Sequence, residues 1–311
     1  MPILGIIASS ISGHLLAAYF AGGYDGTSSL SGIEKILFDN DTRLTLAATL
    51  TAVKGQQGAA SNGGTAGYFA GGYDTVTPTA YSTIDKLSFA SDTKSSITNL
   101  PAIRFYLAGL ANSGTAGYFG GGSQVTTAAF STIDKLAFSG ETHSTLTATL
   151  SVARMWLAGA ANSGTAGYFA GGFDSVNFST IDKLAFSGDT MSTLAATLTT
   201  ARYVLVGAAN SGTAGYFAGG YDTVYLTGID KITFAADTKS TLAATLTAGR
   251  GSAGGAARSG TAAYIAGGFN GTARTAGIDK ITFAADTKST PAATLSSARM
   301  YLTGTANSGV I

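Results

Sequence analysis

A Gly-Gly doublet returns six times along this chain, at Gly22-Gly23, Gly71-Gly72, Gly121-Gly122, Gly171-Gly172, Gly219-Gly220 and Gly267-Gly268. Successive doublets are 49, 50, 50, 48 and 48 residues apart. That period is longer than those of the common helical repeats and suits a unit of four strands, one blade of a propeller. A repeat this regular overrides the prior of two or three ordinary domains that 311 residues would otherwise suggest.

The fourth copy shows the unit. Met155 to Ala161 reads as a first strand, followed by the turn Asn162-Ser163-Gly164-Thr165. Ala166 to Gly172 reads as a second strand, and Thr180 to Phe186 as a third after a loop of variable length. The turn Ser187-Gly188-Asp189-Thr190 leads into a fourth strand ending at Leu198. The apolar runs are short, rich in β-branched and aromatic residues, and bounded by Gly, Asn, Asp and Ser, with no 3.6-residue period. The chain is therefore predicted to be all-β. A blade packs on both faces and narrows toward the axis, which accounts for the many small residues, 43 of them Gly.

The second-strand sequence Tyr19-Phe20-Ala21-Gly22-Gly23 opens the first copy, and first-strand sequence, Tyr301 to Gly309, closes the chain. The two complement each other. Strand addition from the C-terminal end completes the first blade and removes the open edges of an unclosed sheet. The expectation is a six-bladed β-propeller of four-stranded blades over residues 15–311, its first blade closed by the C-terminal strand, preceded by a docking segment over 1–14. Met1 to Phe20 is apolar but lacks the basic start of a signal peptide, so it is read as an ordered N-terminal segment.

Composition narrows function. Eighteen basic against seventeen acidic side chains give a net charge of +1, with no basic block of the kind that neutralises phosphates, so no nucleic-acid partner is expected. Gly, Ser and Thr interrupt every apolar run beyond the N-terminal stretch, so no membrane span is expected. There is no cysteine, and the two histidines, His14 and His143, offer no set of three or four converging ligands, so no metal and no cofactor are expected. His143 falls where other copies carry Arg43, Lys94, Met191, Lys239 and Lys288, the pattern of a solvated position.

The order of residues resembles the kelch repeat. Arg154 stands before the first strand, Tyr168-Phe169-Ala170 precedes Gly171-Gly172, and Phe173 follows it; a third strand over Ile181 to Phe186 and the Asp189-Thr190 turn complete the match. The resemblance runs from about residue 15 to residue 309 in six recurrences. It lacks the fourth-strand tryptophan of kelch repeats, and the sole Trp156 lies on a first strand. The low-charge, Gly/Ala/Thr-rich copies also resemble repeats of bacteriophage and cyanophage structural proteins, as does the opening Met1 to Gly13. This resemblance implies a virion protein, associated with a tail or fibre.

Candidate site residues fall in two groups. A basic residue precedes every first strand: Lys54, Arg104, Arg154, Arg202, Arg250 and Arg299. These should form a ring near one mouth of the channel. Each either ties its blade to carbonyls or to an acid of the loop after Gly-Gly (Asp25, Asp74, Asp174, Asp222), or binds an anion through a guanidinium fork. The variable loops on the same face supply Tyr81, Phe130, Phe178 and Tyr225 as contact candidates, suited to sugar rings or a protein surface. The aromatics directly after Gly-Gly (Tyr24, Tyr73, Phe173, Tyr221, Phe269) are expected to pack between blades. The turn acids Asp41, Asp92, Glu141, Asp189, Asp237 and Asp286 are expected to bond their own turn backbones.

Near-identical copies, such as Lys231 to Thr241 and Lys280 to Thr290, argue against a single catalytic centre. The reading is a non-enzymatic virion structural protein, oligomeric in the assembled particle. It binds a host-surface glycan, or neighbouring virion subunits through its N-terminal segment. A capsid-decorating scaffold without ligand and a sugar-active epimerase or lyase are the alternatives.

Overall fold

A computed structural model describes residues 15–125 and 128–308. The docking segment 1–14, with His14, lies outside the described residues. Six four-stranded antiparallel sheets are arranged as six blades, and none of the described residues is helical. Blade four consists of Ala158–Asn162, Ala166–Ala170, Ile181–Ala185 and Thr190–Thr193, hydrogen-bonded in that order. The first strands of neighbouring blades contact one another around the whole ring, which makes them the innermost.

Blade one is the composite. Thr303–Ala306 pairs antiparallel with Ala17–Ala21, followed by Gly32–Leu37 and Arg43–Thr49. The Ala17 N–H donates to the Asn307 side-chain oxygen at 2.8 Å, so the junction of the two ends is hydrogen-bonded as well as paired. Every edge that lines the axis thus has a neighbouring blade, the closure expected of a propeller.

Strand limits differ from the sequence expectation at both ends of the unit. The first strand begins at Ala158 because Trp156 turns left-handed (φ 56°), while Met155 forms an isolated bridge to Phe173. The fourth strand stops at Thr193, and the chain then runs irregularly to Leu198, which is still buried. Leu198 acts as a plug at the end of the blade although it is not in a strand.

Blades are joined by aromatic stacking that the repeat reproduces six times. Tyr168 on the second strand of blade four stacks on Phe234 of blade five at 5.0 Å between centroids, and Tyr19 on Phe89, Tyr68 on Phe138, Tyr118 on Phe186 and Tyr216 on Phe283 do the same. Tyr264 closes the circle on Phe38, tilted, at 5.1 Å. Such pairs add about 0.5–1.5 kcal/mol beyond the area they bury.

At the axis, space sets the sequence. Gly109, Gly159, Gly207, Gly255 and Gly304 occupy equivalent places on the innermost strands, and a methyl on any of them would fall inside a backbone carbonyl of the preceding blade. The Gly-Gly doublet has a second reason: Gly171 and Gly172 both take positive φ (64° and 110°), which turns the chain sharply off the second strand.

Candidate functional site

The ring of bases is inside the blades. Arg154 is fully buried, and its guanidinium donates to Asp182 Oδ2 at 3.0 Å and to the Phe169 carbonyl at 3.2 Å, both in its own blade. Arg104, Arg202 and Arg250 pair likewise with Asp134, Asp230 and Asp279, Lys54 with Asp85, and Arg299 with Glu34. The acid is the third-strand carboxylate, not the loop acid named from sequence. The loop acids Asp25 and Asp74 instead accept from backbone N–H groups of their own loops, and Asp222 from the Asn177 amide. With both members of each pair buried, these six bases cannot meet an anion without dismantling a blade.

Linkers between blades complete this inner clasp. The Ser151 N–H and hydroxyl donate to Asp182 at 3.0 and 2.9 Å, and Thr199 donates to Asp230 in the same way. Burial alone would raise the Asp230 carboxyl, but the Thr199 and Thr241 hydrogen bonds and the Arg202 charge outweigh it and hold the group below the ordinary carboxylate range. Burial lowers Lys54 and the five arginines, against the pull of their acids.

The turn acids also work between blades rather than on their own turns. Asp237 accepts from the Tyr168 hydroxyl at 2.8 Å and from Lys183 Nζ at 2.7 Å, both in the preceding blade. Asp189, Asp286 and Asp41 receive the same Tyr and Lys pair, as do Asp92 and Glu141. Five of these acids are Asp, and all six sit at positive φ near 50°, a conformation Asp tolerates in turns. His143 lies on a fourth strand, half-buried, with Nε2 against the Thr98 carbonyl at 2.9 Å, so it is not merely solvated.

Of the four contact candidates, Tyr81 and Phe130 lay their rings on bases of the ring, and Phe178 shares only their backbone contact. The Phe130 ring lies over Arg104 and the Tyr81 ring over Lys54, while the Tyr81, Phe130 and Phe178 carbonyls accept from the N–H of Arg104, Arg154 and Arg202 in the next blade. Tyr225 differs. It meets Tyr221 at 4.8 Å and Phe269 at 5.6 Å, within an aromatic belt that runs from Phe269 through Tyr221, Tyr203, Trp156, Tyr106 and Phe105 to Tyr73. The post-doublet aromatics Tyr73, Phe173, Tyr221 and Phe269 all join this belt.

The belt surrounds a feature that sequence reasoning missed. Gln56, Tyr106, Trp156, Val204, Ser252 and Tyr301 occupy one equivalent position per blade, and each N–H donates to the carbonyl of the one before at 2.8–2.9 Å: Tyr106 to Gln56, Trp156 to Tyr106, Val204 to Trp156, Ser252 to Val204, Tyr301 to Ser252 and Gln56 to Tyr301. Six hydrogen bonds close a ring around the axis. Every member is left-handed, with φ between 49° and 63°. That conformation favours glycine, and it makes the β-branched Val204 a genuine outlier.

Compared with protein-family models and with curated proteins, the chain has no match.

Inside the ring lies a cavity of about 80 Å³, walled by Leu107, Leu157, Leu205, Ala253 and Leu302, and Gln57 lines both it and the channel below. Gln57 stands where four blades carry Leu and one carries Ala. Burial raises the Tyr106, Tyr203, Tyr225 and Tyr301 phenols, so at neutral pH they are hydroxyl donors. Farther out, the loop tips Val76, Val176 and Val224 are each more than half exposed. The column of residues two places after each base carries the only sequence signal for this site. It is the one inner column in which the copies disagree almost completely.

Proposed function

We propose that this chain is a non-enzymatic recognition module, a kelch-like propeller of a bacteriophage or cyanophage virion whose axial mouth binds a glycan of the host surface. The observation that carries the binding reading is the left-handed ring. The backbone there favours glycine, the chain has 43 glycines to spend, and none stands at these six places. Side chains are kept in a conformation that costs on the order of 1 kcal/mol or more apiece, the pattern of a site under functional constraint. They are also more varied than any neighbouring column of the inner strand, with five residue types in six copies. Aromatic faces with phenol and indole donors around an amide-bearing pit suit a sugar ring.

The virion setting rests on the sequence resemblance, and attachment to neighbouring subunits through residues 1–14 belongs to the same reading. Non-enzymatic action is favoured by the recurring carboxylates, thirteen of which stand in ion pairs as acceptors.

A glycan array probed with labelled protein tests the proposal. The expected result is a restricted set of bound glycans, lost in Trp156→Leu and Tyr106→Ala but kept in Phe178→Ala. A silent array, or binding indifferent to both ring substitutions, overturns it.

A further inference from the structure

The pit at the axial mouth holds polar atoms that no described protein group satisfies. Gln56 and Gln57 are more than nine-tenths buried, yet Gln56 Oε1 and both terminal atoms of Gln57 have no hydrogen-bond partner among the described residues, and neither has Trp156 Nε1. Burying an amide unpaired costs about 1–3 kcal/mol, so such groups normally have a partner. Leucine at position 57, as in four other blades, would remove that cost. The chain has instead placed an amide in a wall of leucines.

We infer that the axial pit receives the acetamido group of an N-acetylated sugar, a deepening that rests on the glycan reading above. An acetamido group has one N–H, one carbonyl and one methyl. Its N–H donates to a glutamine Oε1, its carbonyl accepts from Gln57 Nε2 or the Trp156 indole N–H, and its methyl meets Leu107, Leu157 and Leu205. Size permits it: the open pit, about 80 Å³, has room for a group of four heavy atoms. The sugar ring then lies outside the pit against Trp156, Tyr106 and Tyr301, whose rings edge the opening.

The single tryptophan of the chain stands at this opening and reports occupancy directly. Chitotriose and methyl N-acetylgalactosaminide are titrated against their hexose counterparts, cellotriose and methyl galactoside, with Trp156 fluorescence as the readout. The acetamido sugars are expected to bind at least about tenfold more tightly, the scale of one buried amide pairing. Gln57→Leu is expected to reduce that preference to about twofold or less while leaving the melting temperature equal or higher, because it restores the residue of blades one, three, four and five. Equal binding of the hexoses, or a preference that survives Gln57→Leu, overturns the acetamido assignment and leaves glycan recognition standing. Silence toward these sugars together with a silent array overturns both.

Discussion

The fate of the six bases turns on what a buried charge needs. A guanidinium inside a blade loses several kcal/mol of hydration and recovers it only through close partners, which is what Asp182 and the Phe169 carbonyl supply to Arg154. The pair is therefore a condition of the fold, and its removal should show in stability rather than in ligand binding. Arg154→Met leaves Asp182 buried beside Ser151 and Thr193 but without its cation, an expected loss of about 3–5 kcal/mol. Adding Asp182→Leu should recover only part of that loss, because it removes the unpaired charge but leaves the Ser151 N–H and the Ser151 and Thr193 hydroxyls without their acceptor. Urea unfolding of the two variants checks both figures. A single variant as stable as wild type would mean that the pair is not held as described.

Between elements, each blade grips the next at two radii, by the Tyr-on-Phe stack and by the Tyr and Lys that converge on the neighbouring turn acid. The second contact makes stability depend on alkaline pH. Burial, together with the adjacent carboxylate, pushes Tyr19, Tyr68, Tyr118, Tyr168, Tyr216 and Tyr264 far above the ordinary phenol range. A phenol whose folded value is raised contributes stability that is complete below the unfolded value of about 10 and is lost as pH climbs beyond it. Unfolding free energy measured from pH 8 to 11.5 should thus stay level at first and then fall from about pH 10 upward. Tyr168→Phe keeps the stack on Phe234 and should make that fall shallower, whereas an unchanged slope would show that Tyr168 ionises freely in the folded state. These contacts also mark the limit of what could be read from the sequence. Strands, turns and the doublet are local, and were legible. Which acid meets which base depends on how blades face each other, so Asp182 went unnoticed and Asp189 was assigned to its own turn. The axial ring was hidden for another reason: left-handed non-glycine backbone has no compositional sign, and only comparison of the copies column by column exposes Gln56, Trp156 and Val204 as one position.

At the scale of the whole molecule, the ring has no privileged beginning. Asn307-Ser308 occupies the place that Asn162-Ser163 holds in blade four, where the Asn162 side-chain oxygen accepts from the Gly212 N–H of the next blade at 2.9 Å. The Ala17 N–H to Asn307 bond and the Asn307 N–H to Ala17 carbonyl bond, at 2.8 and 3.1 Å, hold the two ends as close as an ordinary turn would. Stability should then depend on strand adjacency and not on where the chain is cut. A permutant joining Asn307-Ser308 through Gly-Thr to Ala17, and opened between Ser163 and Gly164, should fold to the same β-rich spectrum. Its melting temperature should lie within a few degrees of the parent, because one covalent turn replaces another. Removing residues 303–311 instead strips the inner strand from blade one, exposes the edge of Ala17–Ala21 and opens the axial ring between Gln56 and Ser252 by unseating Tyr301. That truncation should aggregate or fail to fold. A truncated chain as stable as the permutant would mean that five and three-quarter blades suffice, and that the paired ends are not what closes the propeller.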